Sequence, residues 1–279
     1  MKAILLLILG IPLLMNGQRL GISVVDDQNN PLPYSSVIWN KDLGLVTDSS
    51  GNVEIPDVSL IDSMVVQSLG YEQKVFYRSE ILTTKHLLVK LKPRVVELPE
   101  VVVWKAFDHA EFGVTVKKEG FIFFKHNTCT NCQLAVKISG YKSPAKLDNV
   151  SVFISGSSEG ELPFRIRVYV IKQDGLPGED LLNENIIVTN YKKGKWNTVD
   201  LSVFRLGKLP DAGFFVSMEF LCDDLNKKNG LCVAGTDEIN YGLTYFKNGT
   251  SEWKDLNSNN KRSSPTNFLI KAKLGFPGK

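Results

Sequence analysis

From Gly21 to Glu72 the apolar and polar positions fall into short runs, GISVVDDQNNPLPYSSVIWNKDLGLVTDSSGNVEIPDVSLIDSMVVQSLGYE, each closed by a turn. Runs rich in Val and Ile (Gly21 to Val25, Ser35 to Trp39, Asn52 to Ile55, Ser63 to Gln67) alternate with Asn, Asp, Pro and Gly clusters, which predicts strands joined by tight turns and disfavours a helix. Asp48-Ser49-Ser50-Gly51-Asn52 supplies one such turn, in which Gly51 can take a positive φ without steric cost, while Pro31 and Pro33 fix φ where the chain leaves a strand.

The stretch from about Gly113 to the end has the same texture. Strands are expected at Gly120 to Phe124, Gln133 to Ile138, Asn149 to Ser155, Phe164 to Ile171, Asn185 to Thr189, Thr198 to Leu201, Gly213 to Phe220, Leu231 to Ala234, Gly242 to Phe246 and Asn267 to Leu274. About ten short strands without a helix of any length predict a sandwich or jelly roll. Arg165, Arg167 and Tyr169 alternate with Phe164, Ile166, Val168 and Val170, giving that strand one polar and one apolar face. Gln173 to Glu179 has the composition of a turn before Leu181-Leu182. Between the two stretches lies a connector, Arg94 to Phe112, in which Val101-Val102-Val103-Trp104 follows Pro99 and reads as an extended edge segment. Such a strand invites pairing, so it is expected to be covered by the second domain or by a partner, and these four residues are the candidate docking strand.

The opening GISVVDD, PLPYSSV (Pro31 to Val37), GLVTDSSGNVEI (Gly44 to Ile55) and SLGYE (Ser68 to Glu72) together resemble the carboxypeptidase regulatory-like domain. That resemblance covers roughly Arg19 to Pro93 and implies a transthyretin-like seven-strand sandwich without a catalytic group, set in front of another domain in exported or outer-membrane proteins of Bacteroidetes-type bacteria. LKPRVVELPEVVV (Leu91 to Val103) is similar to segments that follow this module in TonB-dependent transporters. The chain after Val103 is too short for a plug and barrel, so a complete transporter is not expected. FRIRVYVIKQDGLPGEDLL, GKWNTVDLS and LPDAGFFVSMEF resemble a β-sandwich of uncharacterised secreted Bacteroidetes proteins, a likeness that implies no activity.

The organisation expected is therefore all-β: a signal peptide over residues 1–18, the regulatory-like sandwich over 19–93, the connector over 94–112 and a jelly-roll-like sandwich over 113–279. The signal rests on Lys2 ahead of the apolar run Ala3 to Met15 and on the small and polar residues Asn16-Gly17-Gln18. That run falls short of the ~20 residues a membrane span needs, and no Cys closes it for lipid attachment. A periplasmic or outer-membrane-associated protein that does not span the membrane follows.

Charge narrows the partners. With 33 Lys and Arg against 30 Asp and Glu the net formal charge is +3. The basic clusters Lys192-Lys193-Gly194-Lys195 and Lys227-Lys228 are short and loop-like, so nucleic acid is not an expected partner. At 279 residues and 43% hydrophobic the chain can fill two cores.

Four cysteines in an exported chain favour disulfides. Cys222 and Cys232 flank the polar DDLNKKNGL, so a bridge across a hairpin end is expected. Cys129 and Cys132 have a spacing shared by local bridges, redox pairs and halves of zinc sites. A redox pair needs a thiol of lowered pKa, usually at a helix N-terminus, and the surroundings read as strand and turn; zinc needs a second close pair. Structural bridging, within or across pairs, is the expectation.

No G-x-S-x-G, Walker loop, HExxH or EF-hand loop occurs, and the three histidines, His86, His109 and His126, are scattered. Asp223-Asp224 and Glu159 with Glu161 lie in polar loops, where solvated acids are the default and calcium the chemical alternative. No catalytic residue and no cofactor is assigned. What remains is binding. Trp104, Trp196, Tyr241, Tyr245 and Trp253 could stack on a sugar or anchor a protein; Trp253, Tyr245 and Tyr241 are the candidate ligand-binding residues, while Trp196 in GKWNTVDLS reads more readily as packing against the sandwich rim. A non-enzymatic cell-envelope protein that binds a ligand or an outer-membrane complex is the expected function, with a carbohydrate-binding accessory protein and a hydrolase with a cryptic site as alternatives.

Overall fold

The computed structural model describes residues 18–41, 43–59, 61–94, 106–116, 122–125, 131–159, 162–204, 206, 208–222, 230–237, 244–257 and 267–278. The signal segment and Val101 to Trp104 lie outside them, as do Cys129, His126 and Tyr241. The all-β expectation holds: the described residues form 21 strands and one four-residue helix.

The first body has strands β1 (Leu20–Val25), β2 (Ser36–Trp39), β3 (Leu43–Val46), β4 (Asn52–Ile55), β5 (Ser63–Gln67) and β6 (Lys74–Tyr77), then helix α1 (Arg78–Ile81) and strand β7 (His86–Lys90). They build one sheet ordered β4-β1-β7 and another ordered β3-β2-β5-β6. Period-two alternation sends Leu20, Ile22 and Val24 of β1 inward against Val37, Leu45, Met64 and Val66, and their burial fills the core. The turn before β4 forms as its residues dictate. Asp48 Oδ1 accepts from Ser50 N at 2.8 Å and from Asn52 N at 2.9 Å, and Gly51 sits at φ +75°.

The second body has β8 (Ala106–Gly113), β9 (Ile122–Lys125), β10 (Gln133–Ile138), β11 (Lys146–Ile154), β12 (Phe164–Ile171), β13 (Pro177–Asp180), β14 (Ile186–Val188), β15 (Lys195–Asp200), β16 (Phe214–Phe220), β17 (Cys232–Thr236), β18 (Thr244–Lys247), β19 (Lys254–Asp255), β20 (Asn267–Phe268) and β21 (Ile270–Pro277). One sheet runs β13-β12-β16-β10-β18-β19, with β14 also on β12. The other runs β20-β17-β11-β21-β8, with β15 on β11 and β9 on β17. Leu134, Val136, Ile166, Val168, Val216 and Met218 of the first sheet meet Val150, Val152, Ile270 and Ala272 of the second in one core. Strand β8 falls in the stretch read as connector and pairs along β21.

Sheet membership corrects the expected Cys222 to Cys232 bridge. Those two residues are not joined by a disulfide. The stretches around DDLNKKNGL were read as two arms of one hairpin, but β16 and β17 belong to opposite sheets. Cys222 packs into the core of the first body, while Cys232 lies on β17 beside β9. The two thiols are therefore not brought together as the arms of one hairpin would bring them.

The two bodies are joined through several contacts, buried and exposed. Val46 N, at the outer edge of β3, donates to Cys222 O at 2.8 Å. Arg165 Nη2 donates to Tyr34 O. Thr250 N donates to Lys41 O at 2.9 Å, and Leu69 packs against the core of the second body. Gly44 is a place where only glycine fits, since a Cβ there would come 2.5 Å from Asn131 Nδ2 and 2.8 Å from Val37 O.

Candidate functional site

Strand alternation decides which side chains reach the outer face of the β12-containing sheet. With Phe164, Ile166 and Val168 turned to the core, Arg165, Arg167 and Tyr169 must face out; by the same rule β16 presents Phe215, Ser217 and Glu219, β10 presents Gln133 and Ala135, and β18 presents Tyr245 and Lys247. Register aligns these in rows across four strands. Arg165 stands opposite Glu219, Glu219 opposite Gln133, and Gln133 opposite Lys247. The next row holds Arg167, Ser217, Ala135 and Tyr245. Neighbours in a row lie within side-chain reach of one another.

Most of this outer face is buried. Arg165 is 1% exposed and Glu219 1% exposed. Charges that deep must be matched, and they are. Glu219 Oε2 accepts from Arg165 Nη1 at 3.1 Å and from Arg167 Nε at 3.0 Å. Arg167 Nη1 donates to Asp180 Oδ2 at 2.8 Å, and Asp180 Oδ1 accepts from Leu182 N at 2.9 Å. Two guanidiniums and two carboxylates thus form a balanced chain from Tyr34 of the first body to β13.

Beside the chain lies a polar and aromatic group. Tyr169 OH donates to Gln133 Oε1 at 2.7 Å, and Ser217 Oγ donates to the same oxygen at 3.4 Å. Trp253 meets Tyr169 edge to face with ring centroids 5.8 Å apart, and Lys247 Nζ stands 5.8 Å from the Trp253 centroid. Tyr245 stacks edge-on against the buried Phe215 at 5.1 Å.

These residues open on a cleft of about 1110 Å³ between the two bodies. Its floor is Gln133, Arg167, Tyr169 and Lys247; one wall is Gln67 to Gln73 with Arg94 of the first body, and the other is Lys172 to Asp180 with Trp253. The size is that of a small-molecule or oligomer site.

The electrostatics follow from burial. Burial alone would raise the Glu219 carboxyl, but Arg165 and Arg167 outweigh it and hold it below its ordinary value. Burial pushes Asp180 up, against the pull of Arg167 and two backbone amides. The Lys247 ammonium is pushed down by burial, with Glu219 opposing. The Tyr169 phenol is raised by burial and stays protonated.

The cleft unites some of the predicted residues and leaves others apart. Trp253 lies in it, half-buried against Tyr169, and Tyr245 sits in the same aromatic cluster. Tyr241, Val101 to Trp104, Asp223 and Asp224 lie outside the described residues, and so does Cys129, the partner half of the Cys129 and Cys132 motif. Trp196 packs edge to face on Phe153 at 5.6 Å on the opposite sheet. His109 Nδ1 lies 2.7 Å from Asp148 Oδ2, on strands β8 and β11 of the opposite sheet. Among the described residues no group of three or more His, Cys, Asp or Glu could hold a metal ion. Gln133, Arg167 and Lys247 were missed as site residues. The signal for Arg167 was its place in a strand central enough to bury both faces, where a charge needs a reason; Gln133 and Lys247 become visible only through the register.

No family model matches the chain and no curated protein matches it. Among solved structures, the cysteine protease and lectin-like domains of a surface-layer-associated protein of Clostridium difficile are similar at TM-score 0.45 and 15% identity, over 82% of this chain and 47% of that one. The chain thus spans about half the length of that structure. The major pilin subunit of Bacillus cereus is similar at TM-score 0.20 and 11% identity, over 85% of this chain and 65% of that one. A carbohydrate-binding module of the β-sandwich superfamily is similar at TM-score 0.25 and 8% identity, over 86% of this chain and 99% of that one.

Proposed function

We propose that this is an exported, non-enzymatic binding protein of the cell envelope that holds a carbohydrate ligand in the cleft between its two sandwiches. Export rests on the apolar run behind Lys2, and the regulatory-like character of the first body rests on its motifs and its seven strands in two sheets. No helix among the described residues is long and apolar enough to cross a membrane.

The observation that carries the reading is the placement of Trp253. Its ring stands over a floor of buried hydrogen-bonding groups, between walls drawn from both bodies. An aromatic ring beside fixed polar groups suits a ligand with apolar C–H faces and polar edges, which describes a sugar. Hydrolysis is disfavoured by the state of the carboxylates. Asp180 and the buried Glu219 Oε2 are both committed to guanidinium groups, so neither is placed to give or take a proton at a glycosidic oxygen.

Calorimetric titration of an oligosaccharide panel tests this. A member of the panel should bind, and Trp253→Ala should weaken it about tenfold while leaving the unfolding midpoint in urea nearly in place. Product formation on incubation with a bound oligosaccharide would refute the non-enzymatic assignment.

A further inference from the structure

Hydrogen-bond capacity on the cleft floor is lopsided. Gln133 Oε1 is occupied by Tyr169 and Ser217, which leaves the amide nitrogen with no acceptor among the described residues. Arg167 uses Nε and Nη1 on Glu219 and Asp180, and Nη2 has no acceptor among those residues. Lys247 Nζ forms no ion pair among them either and stands 5.8 Å from the centroid of the Trp253 ring. The three belong to one patch: Lys247 is opposite Gln133, Gln133 is opposite Glu219, and Glu219 is bonded to Arg167.

The acceptors of the patch are spent or sealed. Glu219 Oε2 already takes two guanidinium donors, and its other oxygen is buried below the floor. The remaining acids of the cleft, Glu72, Asp174, Glu179 and Glu252, are exposed at the rim, where solvent and salt screen them. Asp174 is also held by Lys172 at 2.8 Å. The floor therefore presents N–H donors, two of them cationic, and no uncommitted carboxylate. A neutral hydroxyl accepts from at most two such donors and without charge assistance, whereas a carboxylate or sulfate meets several at once with charge-assisted bonds.

The geometry points to an anion subsite on this floor: the ligand is an acidic saccharide whose carboxylate or sulfate is received by Gln133, Arg167 and Lys247 beside the Trp253 ring. This rests on the cleft being the ligand site, as proposed above.

The test is titration with three probes of equal length: an oligogalacturonate, its fully methyl-esterified neutral form, and a carrageenan oligosaccharide, whose only anionic groups are sulfates. The wild-type protein should bind at least one of the acidic probes about tenfold or more tighter than the neutral ester, with the difference shrinking as salt is raised. Which acidic probe binds tells carboxylate from sulfate. Lys247→Met should abolish the preference, weakening the acidic probe by about tenfold more than the ester, and Lys247→Arg should keep it. Equal affinity of wild-type protein for acidic and neutral probes would overturn the anion subsite while leaving the cleft as a saccharide site. A preference that survives Lys247→Met would also overturn it. Failure of all three to bind would overturn both readings.

Discussion

Glu219 is the residue on which the buried charge chain turns, because it is the single carboxylate shared by two guanidiniums. Its folded pKa lies below its ordinary value of 4.5. Such a group stabilises the fold in full above the unfolded value, and that stabilisation is lost as pH falls through the folded one. The loss therefore begins as pH drops below about 4.5 and deepens toward lower pH. Asp180 works in the opposite sense, since burial raises it, so wild-type melts alone would mix the two. Glu219→Gln separates them. It should cost about 3–5 kcal/mol at neutral pH, because two buried guanidiniums lose their shared counter-charge. Its melting temperature should then fall less steeply than that of wild type as pH drops below about 4.5, where the stabilisation from Glu219 begins to be lost. Parallel pH profiles for the two proteins in scanning calorimetry would show that Glu219 carries no such linkage.

At the scale of elements, legibility depended on whether a signal was local. Strands β10 and β12 were predicted at their observed bounds because alternation and β-branched content are properties of the segment itself. Strand β13 was read as turn, since Pro177 and Gly178 look like punctuation; they occupy an edge strand, where proline's missing donor costs nothing. The Cys222 and Cys232 bridge failed for a non-local reason, namely which sheet each arm joins. The same divide governs the site. Tyr169 and Arg167 could be placed on a polar face from sequence, but their burial, and the alignment of Gln133 and Lys247 with them, arise from pairing between strands far apart in the chain. Turn chemistry sits on the local side, and Gly51 tests it. At φ +75°, with a Cβ that would come 2.7 Å from Val24 O, Gly51→Ala should destabilise the first body by roughly 1–3 kcal/mol. Urea denaturation measures this, and an unchanged midpoint would mean that the turn relaxes to accept a side chain.

At the scale of the whole molecule, the cleft exists because the two sandwiches are held at one fixed angle. Arg165 is the contact that links the charge chain of the second body to the backbone of the first, at Tyr34 O, and it does not itself line the cleft. Removing it separates two roles that are otherwise confounded: making the floor and holding the walls. Arg165→Met keeps an unbranched stem in place of the arginine's aliphatic part and much of its packing, while Glu219 retains its bond from Arg167. The variant should unfold in two resolved steps where wild type unfolds in one, since the bodies then melt with weaker coupling. Affinity for a saccharide that touches both walls should fall by about tenfold, because binding must now also order the bodies relative to each other. Calorimetry reads the first effect and titration the second. If the variant melts in two steps yet binds as wild type does, the wall from Gln67 to Gln73 takes no part in holding the ligand, and the site is the outer face of the β12 sheet by itself.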